Sequence, residues 1–472
     1  MNDKTVNFIK NFSYTLTSNL VSLIVSTLVI LIVPKLIGVE EYGYWQIYLF
    51  YSSYVGFMHF GWNDGIYLRY GGEKYKEIDK GLFFSQFCML VVLQLTISGL
   101  LLLSSTLIGF DINKTFVIEM VSICLVIVNI RLMLLYILQA TNRIKEYSQI
   151  TMMDRILYCT LIIVFLIFGV RQYKLLIVAD LIGKLLSLLY AMYCCRDIVF
   201  RKFSLFQFSF QETKLNINVG MKLMFSNIAS MLIIGVVRFG IERTWTVSTF
   251  GVVSLTLSIS NLMMLFINAV GIIMFPILRR TNEKKLPSIY VSMRNFLMVI
   301  LLGLITLYYP IRAILSGWLP KYSDSLAYMA LVFPMCVYEG KMALLINTYL
   351  KTLRKEKLML KINLISLVLG VIITFFTTVL YKNLDSAIVS IVFLLALRCV
   401  LAEIFLSKIL RLSLYKDIVL ELIMSFIFII TGWYLNSWIA LVLYLVVYVI
   451  YLVIKRKDIV KTLENFKYLM KN

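Results

Sequence analysis

Apolar stretches of membrane-crossing length recur along the whole chain. They fall at 12–37, 44–67, 81–109, 115–140, 151–170, 174–195, 219–240, 249–276, 291–315, 326–349, 359–381, 385–409, 417–434 and 437–454, with short polar segments between. A helix needs roughly 20 apolar residues to cross hydrocarbon, and each run is close to that. Lipid offers no partner to a backbone N–H or C=O, so runs this long predict helices rather than barrel strands. The expected fold class is an all-α polytopic membrane protein of about 14 transmembrane helices. The first run is too long for a signal peptide and lacks a small-residue cleavage site, which predicts a retained span.

Polar residues inside the runs are not scattered. A helix turns about 100° per residue, so Asn11, Thr15, Ser18, Asn19, Ser22 and Ser26 share one stripe of span 1. Tyr48, Ser52, His59 and Asn63 line up on span 2, and Ser254, Ser258, Asn261 and Asn268 on span 8. Asn227 and Arg238 lie three turns apart on span 7. Ser18, Asn19 and Ser22 recur 208 residues later as Ser226, Asn227 and Ser230, and Tyr42-Gly43 recurs as Phe250-Gly251. Two copies that both start on the same side predict parallel halves. The expected organisation is an N-lobe at 1–195 (spans 1–6), an interfacial linker at 196–218 and a C-lobe at 219–416 (spans 7–12). Two extra spans at 417–454 and a basic tail at 455–472 follow. Helix packing explains the serine spacing as well as a wet wall does. Arg238 is harder to explain by packing, because a cation in a span faces a cavity or a partner. Together the four faces predict a water-filled central cavity.

Composition agrees with the periodicity. The chain is 61% hydrophobic and 15% charged, with a mean hydropathy of +0.88, far from the roughly 45–50% apolar and 25% charged of soluble domains. Its net charge is +21. With the N-terminus placed inside, 33 of the 46 Lys and Arg fall in inner segments and seven in outer loops, the bias that sets topology. Both termini are therefore expected in the cytoplasm, and a nucleic-acid partner is not. The basic, Phe-rich stretch Arg196–Lys214 is expected to lie along the inner interface. All seven cysteines sit in or beside apolar runs without a C-x-x-C pair, so no disulfide framework or metal site is expected.

Several charges lie within spans. Asp180 and Lys184 are one turn apart and are expected to neutralise each other. Arg398 and Glu403 are expected to pair with each other or with neighbours. Glu339 and Lys341 are two residues apart, point to different sides and need separate partners. His59, Glu242, Glu339 and Glu403 are candidates for ion coupling.

Span 2 closes with FGWNDGIYLRYGGEKY, Phe60 to Tyr75, an unusual helix end. The phrase Asp64 to Gly72, with the loop LIGVEEYGYWQ at 36–46, resembles the bacterial polysaccharide-unit flippases. These are the O-antigen and capsule-unit exporters, which share a superfamily with multidrug extruders and the peptidoglycan-precursor flippase. The resemblance implies a V-shaped pair of six-helix lobes in the bacterial inner membrane. By alternating access these would move an undecaprenyl-pyrophosphate-linked oligosaccharide from the cytoplasmic to the outer leaflet for surface-polysaccharide synthesis. It also implies a polysaccharide polymerase and a chain-length regulator as partners, beside membrane lipid.

A sugar hydroxyl in hydrocarbon without a partner costs several kcal/mol, so a carrier must line the path. Thr15, Asn19, Ser22, Tyr48, Ser52, Asn227, Ser258 and Asn261 are the candidate lining residues. Arg238, then Lys341, is the candidate pyrophosphate ligand. Asp64 and Arg69 are candidates for a gate or for headgroup entry. Two alternatives stand beside this. A multidrug or cation antiporter of the same fold predicts a more apolar and acidic cavity. A membrane O-unit polymerase predicts large outer loops and a catalytic constellation, and the chain has neither. It also lacks a phosphate-cradling P-loop, so ATP is not expected to power it, and neither enzymatic activity nor a cofactor is expected.

Overall fold

The computed structural model describes residues 3–280, 286–435 and 438–471. Among the described residues every regular element is helical. In chain order they are α1 (Asp3–Leu36), α2 (Val39–Val55), α3 (Trp62–Arg69), α4 (Lys80–Ile108), α5 (Ile112–Ala140), α6 (Ile144–Ile167), α7 (Tyr173–Cys194) and the one-turn α8 (Arg196–Val199). There follow α9 (Phe210–Thr244), α10 (Val247–Arg280), α11 (Leu286–Leu304), α12 (Tyr308–Trp318), α13 (Met329–Val332), α14 (Met335–Lys341) and α15 (Asn347–Thr352). The chain ends with α16 (Glu356–Thr374), α17 (Leu384–Leu410), α18 (Tyr415–Ile430) and α19 (Trp438–Lys471). Thirteen stretches among the described residues are long and apolar enough to cross a membrane. The chain is a multi-pass membrane protein.

Helix starts follow capping chemistry where the loops are polar. The Asp79 carboxylate accepts from the Gly81 and Leu82 N–H groups, Asp111 accepts from Lys114 N–H, and Asn383 from Ser386 N–H. Each satisfies donors that a helix start leaves open. A π turn over Met342–Ile346 joins α14 to α15 directly after Lys341, the kind of irregularity often found at functional positions.

The run expected as one straight helix over 44–67 is broken. α2 stops at Val55, a turn occupies 56–61, and α3 restarts at Trp62. Phe60 and Gly61 both take positive φ, 53° and 85°. Irregular backbone at membrane depth survives only where protein groups replace the lost ladder, and here amide side chains do so. Asn129 Nδ2 donates to the Val55 carbonyl at 2.8 Å, Gln94 Nε2 to that of Met58 at 3.1 Å, and Asn63 Nδ2 to that of Asn129 at 3.1 Å. The single stripe expected for Tyr48, Ser52, His59 and Asn63 therefore does not exist, because the break re-aims the last two.

By internal contacts the chain divides into two units, Met1–Ile228 and Ala229–Asn472, with the boundary inside the continuous α9. In the first unit α5 is the central helix, packed on α2, α3, α4, α6 and α7. The start of α9 crosses α3 there with the backbones in contact. A Cβ on Gly65 would lie 1.9 Å from the Asn216 carbonyl oxygen, and one on Gly220 would lie 1.9 Å from that of Gly61. In the second unit α14 is central, against α10, α11 and α17, while α19 packs along α11. Between α8 and α9 the chain exposes Phe200, Phe203, Leu205 and Phe208 beside the exposed Arg201 and Lys202.

Candidate functional site

In the first unit the polar residues fall into three groups. On α1, Thr15 donates to the Asn11 carbonyl at 3.0 Å, Ser22 is half-buried and Asn19 is exposed. On α2, Ser52 donates to the Leu49 carbonyl at 3.1 Å. Tyr48 is fully buried, and its hydroxyl donates to Asp180 at 2.6 Å. Asp180 also holds Lys184, so the expected one-turn pair forms and Tyr48 joins it.

Beside that pair lies a second one that the sequence did not assign. Arg131 of α5 meets Asp154 of α6 at 2.8 Å and Ser187 of α7 at 2.6 Å. Three helices are thereby tied by one guanidinium.

The third group surrounds the break. His59 is buried in the turn, and its Nδ1 accepts from the Gly61 N–H at 3.1 Å. Its Nε2 faces the buried Asp64 carboxylate at 3.6 Å. One turn on, Arg69 binds Glu212 and, at 2.6 Å, Asn216 Oδ1. Tyr70 donates to the same Glu212 oxygen at 2.7 Å. Asp64 and Arg69, grouped by their spacing, thus have separate partners.

In the second unit Arg238 of α9 donates to Ser254 of α10 at 3.0 Å, and its guanidinium lies 5.3 Å from the centre of the Phe250 ring. Glu242 is buried one turn further along α9, with Arg243 at 3.4 Å. Ser258 is half-buried and Asn261 exposed. Asn227, which precedes the unit boundary, is exposed as well. The Asn268 side chain lies outside the described residues.

Arg398 of α17 reaches Glu339 of α14 at 3.0 Å, Asn363 of α16 at 2.9 Å and Ser230 of α9 at 2.8 Å. This is the counterpart of the Arg131 cluster. Glu339 stands 208 residues after Arg131, and Asn363 stands 209 after Asp154, so the repeat offset recurs with the charges exchanged between helices.

Among the described residues five helices build a buried ion cluster. Arg294 of α11 contacts Glu403 of α17 at 2.7 Å, Glu421 of α18 at 2.6 Å and Asp417 of α18 at 3.2 Å. Lys341 of α14 sits between Glu403 and Glu421. Tyr290 donates to Glu403 at 3.1 Å, and Lys455 of α19 holds Asp417 at 2.9 Å. Arg294 and Lys341 are 1% and 2% exposed and Glu403 0%, so this cluster is interior. Its charges compensate one another, which burial demands. Arg398 and Glu403 do not pair with each other. From the sequence Arg294 groups with the inner-segment charges, and nothing there assigns Glu421 a role. The signal for Glu421 was a carboxylate within span 13 that had no basic residue of its own.

No family model and no curated protein matches this sequence. Solved structures match over most of the chain. An inward-facing multidrug resistance MATE family transporter of the MOP superfamily aligns at 14% identity and TM-score 0.61, covering 84% of this chain and 99% of that one. The Lipid II flippase MurJ in an inward closed conformation aligns at 14% identity and TM-score 0.66, covering 95% of this chain and 99% of that one. An outward-facing MATE transporter aligns at 13% identity and TM-score 0.52. The chain has the fold of these MOP superfamily transporters.

Proposed function

We propose that this protein is a flippase for undecaprenyl-pyrophosphate-linked oligosaccharide units, moving them from the cytoplasmic to the outer leaflet of a bacterial inner membrane by alternating access. The carrying observation is the exposure of Asn19, Asn227 and Asn261, three amides inside membrane-length apolar helices. An amide facing hydrocarbon costs several kcal/mol, so each exposed amide calls for water on the helix face that carries it. Sugar hydroxyls need such partners in series, and Thr15, Ser22, Ser52 and Ser258 extend the series on the same helices.

We assign the pyrophosphate to Arg238, half-buried and in contact with Ser254 and the Phe250 ring. A guanidinium offers a phosphate two parallel N–H bonds. We assign Lys341 a structural role, because two carboxylates already flank it inside the protein. The alignment with a Lipid II flippase, over 95% of this chain, supports this reading. The repeat lobes (1–195 and 219–416) and the cytoplasmic termini belong to the same proposal. A polymerase and a chain-length regulator would act on the delivered units.

The test is reconstitution of the full chain in vesicles with a fluorescent prenyl-pyrophosphate oligosaccharide, followed by a membrane-impermeant quencher. Faster loss of the inner-leaflet signal than in protein-free vesicles is expected, and its absence with Arg238→Ala. Equal rates with and without protein sink the reading. Transport of organic cations alone favours the antiporter.

A further inference from the structure

The buried carboxylates separate cleanly by partner. Among the described residues six carboxylates are buried: Asp64, Asp154, Asp180, Glu242, Glu403 and Glu421. Five of them contact a Lys or Arg: Asp154 with Arg131, Asp180 with Lys184, Glu242 with Arg243, and Glu403 and Glu421 with both Arg294 and Lys341. Their counter-charges are permanent at any physiological pH. Asp64 is the exception: among the described residues no Lys or Arg contacts it, and the imidazole of His59 faces it at 3.6 Å.

Among the described residues, the elements packed around α3 supply amides, a phenol and a carboxylate that Arg69 already holds. From α4 come the amides of Gln86, bonded to Trp62, and Gln94, bonded to the Met58 carbonyl. From α5 come Asn129 and the Tyr136 phenol, whose ring lies 5.6 Å from that of Tyr67. From α9 come Asn216 and Glu212, both engaged by Arg69. The positive charge nearest along α3 is thus already matched.

His59 is set in one orientation. Its Nδ1 accepts from Gly61 N–H, so the neutral ring carries its proton on Nε2, the nitrogen that faces Asp64. Making the ring cationic would require breaking that bond and the turn it stabilises. The group free to take and release a proton is therefore the carboxyl.

We propose that Asp64 is the proton-carrying residue of this transporter and His59 its positioning residue. Uptake forms an O–H bond on the Asp64 carboxyl and release breaks it, while His59 keeps its own Nε2 proton throughout. With the proton bound the site is neutral and suits the closed α3–α9 crossing. Without it, a net negative charge stays buried beside no Lys or Arg, and the state that admits water gains. The crossing transmits this, because Gly61 and Gly65 flank the pair and lie against Gly220 and Asn216 of α9. The assignment rests on the transporter reading but on no particular cargo.

The experiment uses the full-length protein in lipid nanodiscs with the proton as its only ligand. Hydrogen exchange of peptides covering 56–69 and 210–225 is followed from about pH 5 to 8, with labelling times scaled to the chemical exchange rate. The expected result is a step to faster exchange in both peptides as pH rises. Asp64→Asn abolishes the step, His59→Gln moves its midpoint by about half a unit or more, and Asp154→Asn leaves it in place. Should Asp64→Asn not accumulate, Asp64→Glu must keep the step and His59→Gln must still move it. A flat wild-type profile overturns the proposal. So does a step that both variants leave at the same midpoint. Because no cargo is present, failure of the lipid-linked-sugar reading leaves this outcome untouched.

Discussion

Gly220 and Gly65 meet backbone to backbone. A Cβ built on Gly220 would come 2.4 Å from the Gly65 amide nitrogen. Neither neighbouring atom belongs to a flexible side chain, so the crossing has no slack. Gly220→Ala or Gly65→Ala is expected to lower stability by about 1–3 kcal/mol or more, the range for overpacking a filled core. Gly99 has nothing within 4 Å of its built Cβ, and Gly99→Ala is expected to be neutral or slightly stabilising. Thermal unfolding in detergent compares the three.

The ion cluster gives a non-additive prediction. Lys341→Met leaves Glu403 and Glu421 sharing Arg294, and Glu421→Gln leaves Lys341 with Glu403 alone. Each single change is expected to cost about 3–5 kcal/mol, as removal of one partner from a buried pair does. The double variant is expected to cost less than the two singles combined, because the partners leave together. A double-mutant cycle on unfolding midpoints reads this directly, and strict additivity would remove the coupling.

Removing the chain from Tyr415 onward takes away Asp417, Glu421 and Lys455 while leaving Arg294 and Lys341 inside. The truncated protein is expected not to accumulate in membranes. Arg294→Leu with Lys341→Met in the truncated chain is expected to restore part of its level. Immunoblots of membrane fractions measure both.

The exposed amides give the opposite pattern. Asn227→Leu and Asn261→Leu are expected to leave stability within about 0.5 kcal/mol, as surface changes do, yet to lower leaflet transfer at least tenfold. A loss of stability that tracks the loss of transport would make these residues structural.

Arg398 spends its guanidinium on Glu339, Asn363 and Ser230 at once. Lysine keeps the charge but not the fork, so Arg398→Lys is expected to be nearly as damaging as Arg398→Ala. Equal behaviour of Arg398→Lys and the wild type in an unfolding assay would contradict this.

The apolar periodicity located nearly every span, because helix length and lipid thickness are matched physical quantities. It failed at 44–67. Hydropathy averages over a window, and a turn lined with Phe57, Met58 and Phe60 looks as greasy as a helix. The usable clue was Gly56, Gly61 and Gly65 alternating with His59, Asn63 and Asp64, a density of both types that a straight helix has no use for. Asp180 and Lys184 were legible because i, i+4 spacing is local. The Arg294–Glu403–Glu421 arrangement was not, since Arg294 stands 109 residues before Glu403 and on a different helix from either acid. Arg294 lies eight residues into α11, near enough to its start to pass for an interfacial anchor. The polar faces of α1 and α9 could be read as stripes. Which of their residues bond within their own helix and which stay exposed depends on packing.

The charged core of the second unit also imposes an order on biosynthesis. Lys341 emerges 80 residues before Glu421, and at about 5–20 residues per second this leaves it several seconds without that neighbour. Until the last two helices enter the bilayer, the nascent chain holds excess positive charge at membrane depth. Arrival of α18 supplies the missing acids, so the interior cations of the second unit gain their full set of counter-charges only once that helix is in place.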